Sequence, residues 1–254
     1  MDEFKKIAVL IDADNTQYSK LEDMLYEVST YGRIVVKKAY GNWKKQGLSK
    51  WEDQIKRLAI KAEQQFDYVA GKNTTDIAMV IDAMDMLHTG SYDAVALVSS
   101  DSDFTPLAVR LREEGVFVIG VGEKKTPEAF TNACDDFIFL EYLSSNDSKE
   151  KRDTRSDRQQ DAFEEYTSNE YYPDLEDVHS LLRIAYEKYQ DDDGFVNVSA
   201  AGTYIKRVKP EFTPYAYGFS KLSELIKAFP KKYEVHKSKT SGKGAVVTYK
   251  CIER

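Results

Sequence analysis

Apolar residues are not spread evenly along the chain: through residue 143 they fall in short dense runs, and the stretches between those runs carry helical periodicity. The runs at residues 7–11, 33–40, 66–70, 94–99, 116–121 and 137–140 are rich in β-branched side chains and read as strands. Residues 18–30, 49–64, 75–88, 105–114 and 127–133 read as helices. Ala8-Val9-Leu10-Ile11 shows no alternation, which is what a strand covered on both faces requires. The pattern therefore predicts an α/β fold, with a mostly parallel, Rossmann-like sheet flanked by helices.

From residue 144 to 173 the aliphatic residues vanish and Ser, Asn, Asp, Lys, Glu, Arg and Gln dominate, so little apolar surface is available to offset ordering entropy. That stretch reads as a flexible linker between a first domain, 1–143, and a second, 174–254. The second domain is predicted to hold helices at 177–189, 200–206 and 220–229 and a strand pair at 233–236 and 246–251. Three helices closed by a hairpin make a small winged-helix domain.

Composition changes this picture in three ways. The chain has 254 residues, enough for two domains, and no apolar run nears the roughly 18 residues of a membrane span, so the expectation is a cytoplasmic protein without a membrane partner. Cys134 and Cys251 are far apart and have no Cys or His at metal spacing, which argues against both a disulfide framework and a zinc site. The net charge of −7 is unevenly placed: from Gly194 onward 12 Lys/Arg face 4 Asp/Glu, net +8, which leaves −15 on the residues before it. A basic C-terminal part is the electrostatic footprint of a phosphate-bearing partner.

Ligands of an open parallel sheet bind beyond the carboxyl ends of its strands, and acids gather there. The first strand ends in Asp12-Ala13-Asp14-Asn15-Thr16, and the fourth in Ser99-Ser100-Asp101-Ser102-Asp103-Phe104. Between them, Lys72-Asn73-Thr74-Thr75-Asp76 opens a helix that also carries Asp82. One such Asp is ordinarily an N-cap. Several at one edge repel each other, and their hard oxygens suit Mg²⁺ or Mn²⁺, so Asp12, Asp76, Asp101 and Asp103 are predicted to share a metal-holding, catalytic pocket. Neither a Ser/His/Asp set nor a Cys/His pair competes, since His88, His179 and His236 read as structural or surface residues.

Residues 5–143 resemble a NYN domain, a branch of the PIN-like nuclease superfamily. The likeness lies in Ile11-Asp12-Ala13-Asp14-Asn15, Ala39-Tyr40-Gly41-Asn42-Trp43 and Gly71-Lys72-Asn73-Thr74-Thr75-Asp76. It continues in Val98-Ser99-Ser100-Asp101-Ser102-Asp103-Phe104 and Lys125-Thr126-Pro127-Glu128-Ala129-Phe130. The resemblance implies a metal-dependent ribonuclease fold in which Asp12, Asp76 and Asp101 hold the metal with Asp103 as a fourth member. Asn15, Ser99, Ser100 and Lys72 are then the candidates for orienting a ligand or meeting phosphate.

Residues 175–252 resemble an OST-HTH domain, also called LOTUS, through Asp193-Gly194-Phe195-Val196, Gly202-Thr203-Tyr204-Ile205-Lys206 and Tyr217-Gly218-Phe219-Ser220-Lys221-Leu222. The chain departs from that pattern at Phe195, where the family commonly has Trp, and at Ala216, where it commonly has Arg. This resemblance implies RNA binding, for which Lys206, Arg207, Lys209, Tyr217 and Lys221 are the candidates, and it also implies a protein partner docked on the second domain.

Two other functions fit part of the sequence. One is an RNA-binding regulator that keeps the acidic pocket without cutting. The other is a phosphatase of the haloacid-dehalogenase type, whose Asp-x-Asp-x-Thr pattern matches Asp12 to Thr16 with Asp12 as nucleophile. If the carboxylates repel, Asp12→Asn and Asp101→Asn should both spare the fold and relieve strain.

Overall fold

Six parallel strands form the first unit, and its sheet order reverses direction at the first strand. The structure, a computed structural model, describes residues 4–68, 73–143, 175–191, 193–240 and 243–252. The strands are β1 (Phe4–Asp12), β2 (Gly32–Gly41), β3 (Lys61–Gln64), β4 (Ala94–Val98), β5 (Phe117–Gly122) and β6 (Asp136–Phe139), in the order β3-β2-β1-β4-β5-β6. Helices α1 (Leu21–Ser29), α2 (Trp51–Arg57), α3 (Thr74–His88), α4 (Thr105–Glu113) and α5 (Glu128–Ala133) cover both faces.

The unbroken apolar run of β1 is explained by two cores. Ile7, Val9 and Ile11 pack with Leu21, Met24 and Val28 of α1 and Trp51 of α2. Ala8 and Leu10 point the other way, toward Met79 and Ala83 of α3 and Leu107 and Leu111 of α4. A strand sandwiched in this way has no solvent face, and each fully buried aliphatic side chain contributes about 1.5–3 kcal/mol.

One segment departs from the expected order. Residues 49–64 do not form one helix and residues 66–68 are not a strand, while 69 and 70 lie outside the described residues. Instead α2 stops at Arg57, Ala59 turns the chain with a left-handed φ of 50°, and Lys61-Ala62-Glu63-Gln64 becomes β3. These four residues favour helices, but they sit on the sheet edge, where charged side chains are tolerated and pairing with β2 outweighs intrinsic preference.

The second unit has its own core. The chain divides into two compact units, Met1–Lys151 and Arg152–Arg254, and the segment expected to be a linker lies outside the described residues. Its elements are α6 (Leu175–Tyr189), β7 (Val196–Asn197), α7 (Val198–Val208), α8 (Leu222–Lys227), β8 (Tyr233–Thr240) and β9 (Lys243–Cys251). The hairpin pairs antiparallel, with the short β7 on its other side, in the order β7-β9-β8. Val178, Leu182, Ile205, Leu225 and Tyr249 fill the interior. Two buried polar groups are paired here: the Tyr249 hydroxyl donates to the Leu182 carbonyl at 2.7 Å, and His179 Nδ1 meets the Tyr233 hydroxyl at 2.8 Å.

Candidate functional site

The sheet order reverses between β1 and β4, and the crevice beyond their carboxyl ends is where an open α/β sheet receives ligands. Asp12 is the last residue of β1, and Ser99 follows the last residue of β4.

Asp12 is only 1% exposed and is held by four donors. Its Oδ1 accepts from the backbone N–H of Asp14 at 3.1 Å and of Asn15 at 3.3 Å, while Oδ2 accepts from Asn15 Nδ2 at 2.8 Å and Ser99 Oγ at 2.9 Å. A carboxylate offers about four lone-pair sites, so this one is saturated from within. Burial raises its pKa, and the bonds from Asn15 and Ser99 pull against that rise without cancelling it.

Helix α3 is clamped by the loops on either side of the crevice. Thr75 Oγ1 donates to Asp14 Oδ2 at 3.2 Å, and Asn73 Nδ2 donates to Asp103 Oδ2 at 2.9 Å. Asp76, one residue on, lies in the first helical turn, where the helix dipole favours a negative charge. Its pKa is nevertheless pushed up to about 6, first by burial and then by the charges of Asp12, Asp101, Asp103 and Asp14. Five carboxylates thus share one field, and burial together with their repulsion outweighs the dipole. Asp101 accepts from the Asp103 backbone N–H at 2.9 Å, capping the turn Ser102–Phe104.

The donor set is all carboxylate oxygen, which suits a hard divalent cation, and the unbalanced charge at Asp76 is the kind a cation relieves. Among the described residues, however, no three His, Cys, Asp or Glu side chains stand close enough to be a ready metal-holding group. The expected acids therefore share an edge and a field rather than a closed ligand shell. Asp82 faces elsewhere: it pairs with Lys38 at 2.6 Å and accepts from the Tyr40 hydroxyl.

The candidates for phosphate contact separate. Ser99 is fully buried, donating to Asp12 and accepting from the Asp101 backbone N–H at 3.1 Å, so it positions acids and cannot reach phosphate. Asn15 has its amide on Asp12, and Ser100 Oγ accepts from the Glu123 N–H at 2.8 Å. Lys72 lies outside the described residues. A cation at this edge that the sequence did not announce is Lys45, which stands 3.4 Å from both Asp14 and Asp67. It lies 31 residues from Asp14 in the chain, and nothing in local spacing announces the contact.

In the second unit Arg207 and Lys221 are exposed, whereas Lys209 is committed to Asp177 at 3.2 Å. Lys206 is half-buried on the last turn of α7. Tyr217, expected to stack on RNA, is 7% exposed and packs against Phe212 with ring centroids 5.9 Å apart. It is a core residue, followed by Gly218, whose left-handed φ of 80° closes the turn.

Two family models agree with this architecture. A family model of the NYN domain matches residues 6–141, and one of the OST-HTH/LOTUS domain matches residues 172–244. An uncharacterized protein of Methanocaldococcus jannaschii is 28% identical over 154 residues, 58% of this chain and 61% of that relative. A protein of unknown function from Vibrio parahaemolyticus aligns with a TM-score of 0.45 at 21% identity, covering 55% of this chain and 94% of its own. An uncharacterized protein from Nitrosomonas europaea aligns at 0.28 and 23%, covering 34% and 79%. With its parallel sheet, its acidic edge and a family match across more than half its length, the chain belongs to the NYN family of PIN-like domains and carries an OST-HTH/LOTUS domain after it.

Proposed function

We propose that this protein is a metal-dependent endoribonuclease whose first unit cuts RNA and whose second unit holds it. What supports this reading is the gathering of acids at the sheet's switch point, where Asp12 and Asp101 follow from the ends of β1 and β4, and Thr75 and Asn73 tie the start of α3, which carries Asp76, to Asp14 and Asp103. Asp76, Asp101 and Asp103 would hold Mg²⁺ or Mn²⁺, with Asp12 as a ligand only if one of its four donors gives way. A divalent ion there supplies charge to the scissile phosphate and acidifies water. The chain's own residues set the stage: Ser99 fixes both Asp12 and the Asp101 loop, while Asn73 and Thr75 lock α3 between the two acidic loops.

Saturation of Asp12 favours a second reading, an RNA-binding regulator that does not cut, because no oxygen of that residue is free. The same saturation weighs against a phosphatase, whose nucleophile needs a free oxygen. Among the described residues no helix is long and apolar enough to cross a membrane. The deciding experiment incubates the purified chain with end-labelled RNA and Mn²⁺ or Mg²⁺. Internal cuts that need the ion and vanish with Asp101→Asn support the nuclease, and cutting unchanged by Asp101→Asn would refute this site.

A further inference from the structure

Two aromatic rings stand in water at the edge where the carboxylates lie. Phe66 is 53% exposed and Tyr68 87% exposed, on the segment that leaves β3. Register fixes their level: Asp12 aligns with Tyr40, and Tyr40 with Glu63, so Gly41 and Gln64 stand one residue beyond Asp12 and the loops after them begin at the next residue. At about 4.8 Å per strand spacing, β3 lies roughly 10 Å across the sheet from β1.

That segment is built rather than loose. Asn42 Nδ2 donates to Asp67 Oδ2 at 3.2 Å, Gln64 Nε2 donates to Asn42 Oδ1 at 3.0 Å, and Trp43 Nε1 donates to the Glu63 carbonyl at 3.1 Å. Asp67 is the member of the Phe66-Asp67-Tyr68 triplet that these bonds use, and Lys45 joins it to Asp14 of the acidic loop at 3.4 Å on each side. The two flanking rings are left on the outside, and Lys44 Nζ sits 5.1 Å from the centroid of Phe66. Water-exposed aromatics beside lysines, tied by ion pairs to a phosphate-handling edge, have the chemistry of a base-stacking platform with backbone contacts.

We infer that Phe66 and Tyr68, with Lys44 and Lys45, form a subsite that stacks an unpaired nucleobase of the RNA strand entering the acidic site. The inference rests on the RNA reading above and adds that the bound stretch is unpaired, because bases inside a duplex do not present their faces. The lysines meet the phosphates on either side of the stacked base.

The probe is a single-stranded RNA carrying 5-iodouridine, photo-crosslinked to the full-length chain bearing Asp101→Asn so that the RNA stays intact, with adducts mapped by mass spectrometry. Adducts at Phe66 or Tyr68 are expected, competed away by unlabelled single strands and not by a duplex of the same sequence. The exposed double variant Phe66→Ala, Tyr68→Ala should keep its unfolding temperature and reduce first-unit adducts about tenfold, as the loss of one stacked base predicts. Adducts confined to other residues, or equal competition by duplex, would overturn the subsite. So would concentration-dependent dimerisation abolished by the double variant, which would assign the rings to a second copy of the chain. Wild-type cleavage without these adducts sinks the subsite alone, whereas the adducts without any wild-type cleavage uphold it and sink the nuclease.

Discussion

Two aspartates at one edge, Asp76 and Asp12, should respond oppositely to the same substitution. In the metal-free protein the Asp76 carboxyl titrates near 6 rather than at the ordinary 3.8, so the folded chain keeps a proton that the unfolded chain releases. The contribution of Asp76 to stability is then fully present below about pH 4 and is lost as pH rises through about 6. Asp76→Asn removes this loss and should stabilise the EDTA-treated protein at pH 7.5 by roughly 1 kcal/mol, allowing for solvent screening of a half-buried group. At pH 3.5 the gain should disappear. Asp12→Asn should instead destabilise by about 1–3 kcal/mol, because an amide nitrogen would face either two backbone N–H groups or the Asn15 and Ser99 donors. The sequence alone suggested relief from repulsion at both Asp12 and Asp101. It could not show that Asp12 is solvated by its own neighbours. Urea unfolding of both variants with EDTA at the two pH values checks the contrast, and equal shifts of the same sign would refute it.

At the scale of elements, what was legible in the sequence depended on how deeply each element is buried. The central strands, with no solvent face, write their burial as unbroken apolar runs, and the acids at their carboxyl ends followed from sheet geometry. The edge strand β3 was not legible, because Lys61, Ala62, Glu63 and Gln64 carry helix preference and only pairing with β2 makes them a strand. Tyr217 lies in the core although its motif points to a stacking surface, because a motif gives a residue's neighbours in sequence and not its neighbours in the core. Likewise Ser99 looked like a phosphate contact until β5 and the two acidic loops closed over it. Gly122, the last residue of β5, shows how tightly that closure is set. A Cβ there would lie 2.8 Å from the Ser99 carbonyl and 2.7 Å from Thr126 Oγ1, so backbone beneath the acids would have to move. Gly122→Ala should cost about 1–3 kcal/mol, whereas Gly47→Ala, with nothing within 4 Å, should stay within about 0.5 kcal/mol. Thermal unfolding of the pair tests this, and equal melting temperatures would mean that the Ser99 carbonyl yields freely.

For the whole molecule the question is which unit supplies affinity. The first unit, residues 1–151, carries −7 (19 Lys/Arg against 26 Asp/Glu), while the +8 from Gly194 onward lies in the C-terminal part of the second unit, so without a bound cation the first unit repels a polyanion and that basic part attracts it. If the second unit tethers RNA, it raises the effective concentration of RNA at the first without touching the bond to be cut. Not every lysine counts equally, since Lys209 and Lys232 already face Asp177 and Glu176 at 3.2 and 3.3 Å. Such exposed pairs are weak and exchange for phosphate readily, so they lower the counterion gain without abolishing it. Deleting residues 173–254 should therefore weaken RNA binding at least tenfold near physiological salt. It should also flatten the slope of log affinity against log salt by about 0.7 for each phosphate contact removed. Cleavage at saturating RNA should survive, because the first unit has its own two cores and holds every acid of the site. Affinity of the full and shortened chains at several salt concentrations measures both effects. Equal affinities with equal slopes would show that the second unit serves a protein partner, and the first unit would then have to capture RNA with Lys44, Lys45 and any bound metal alone.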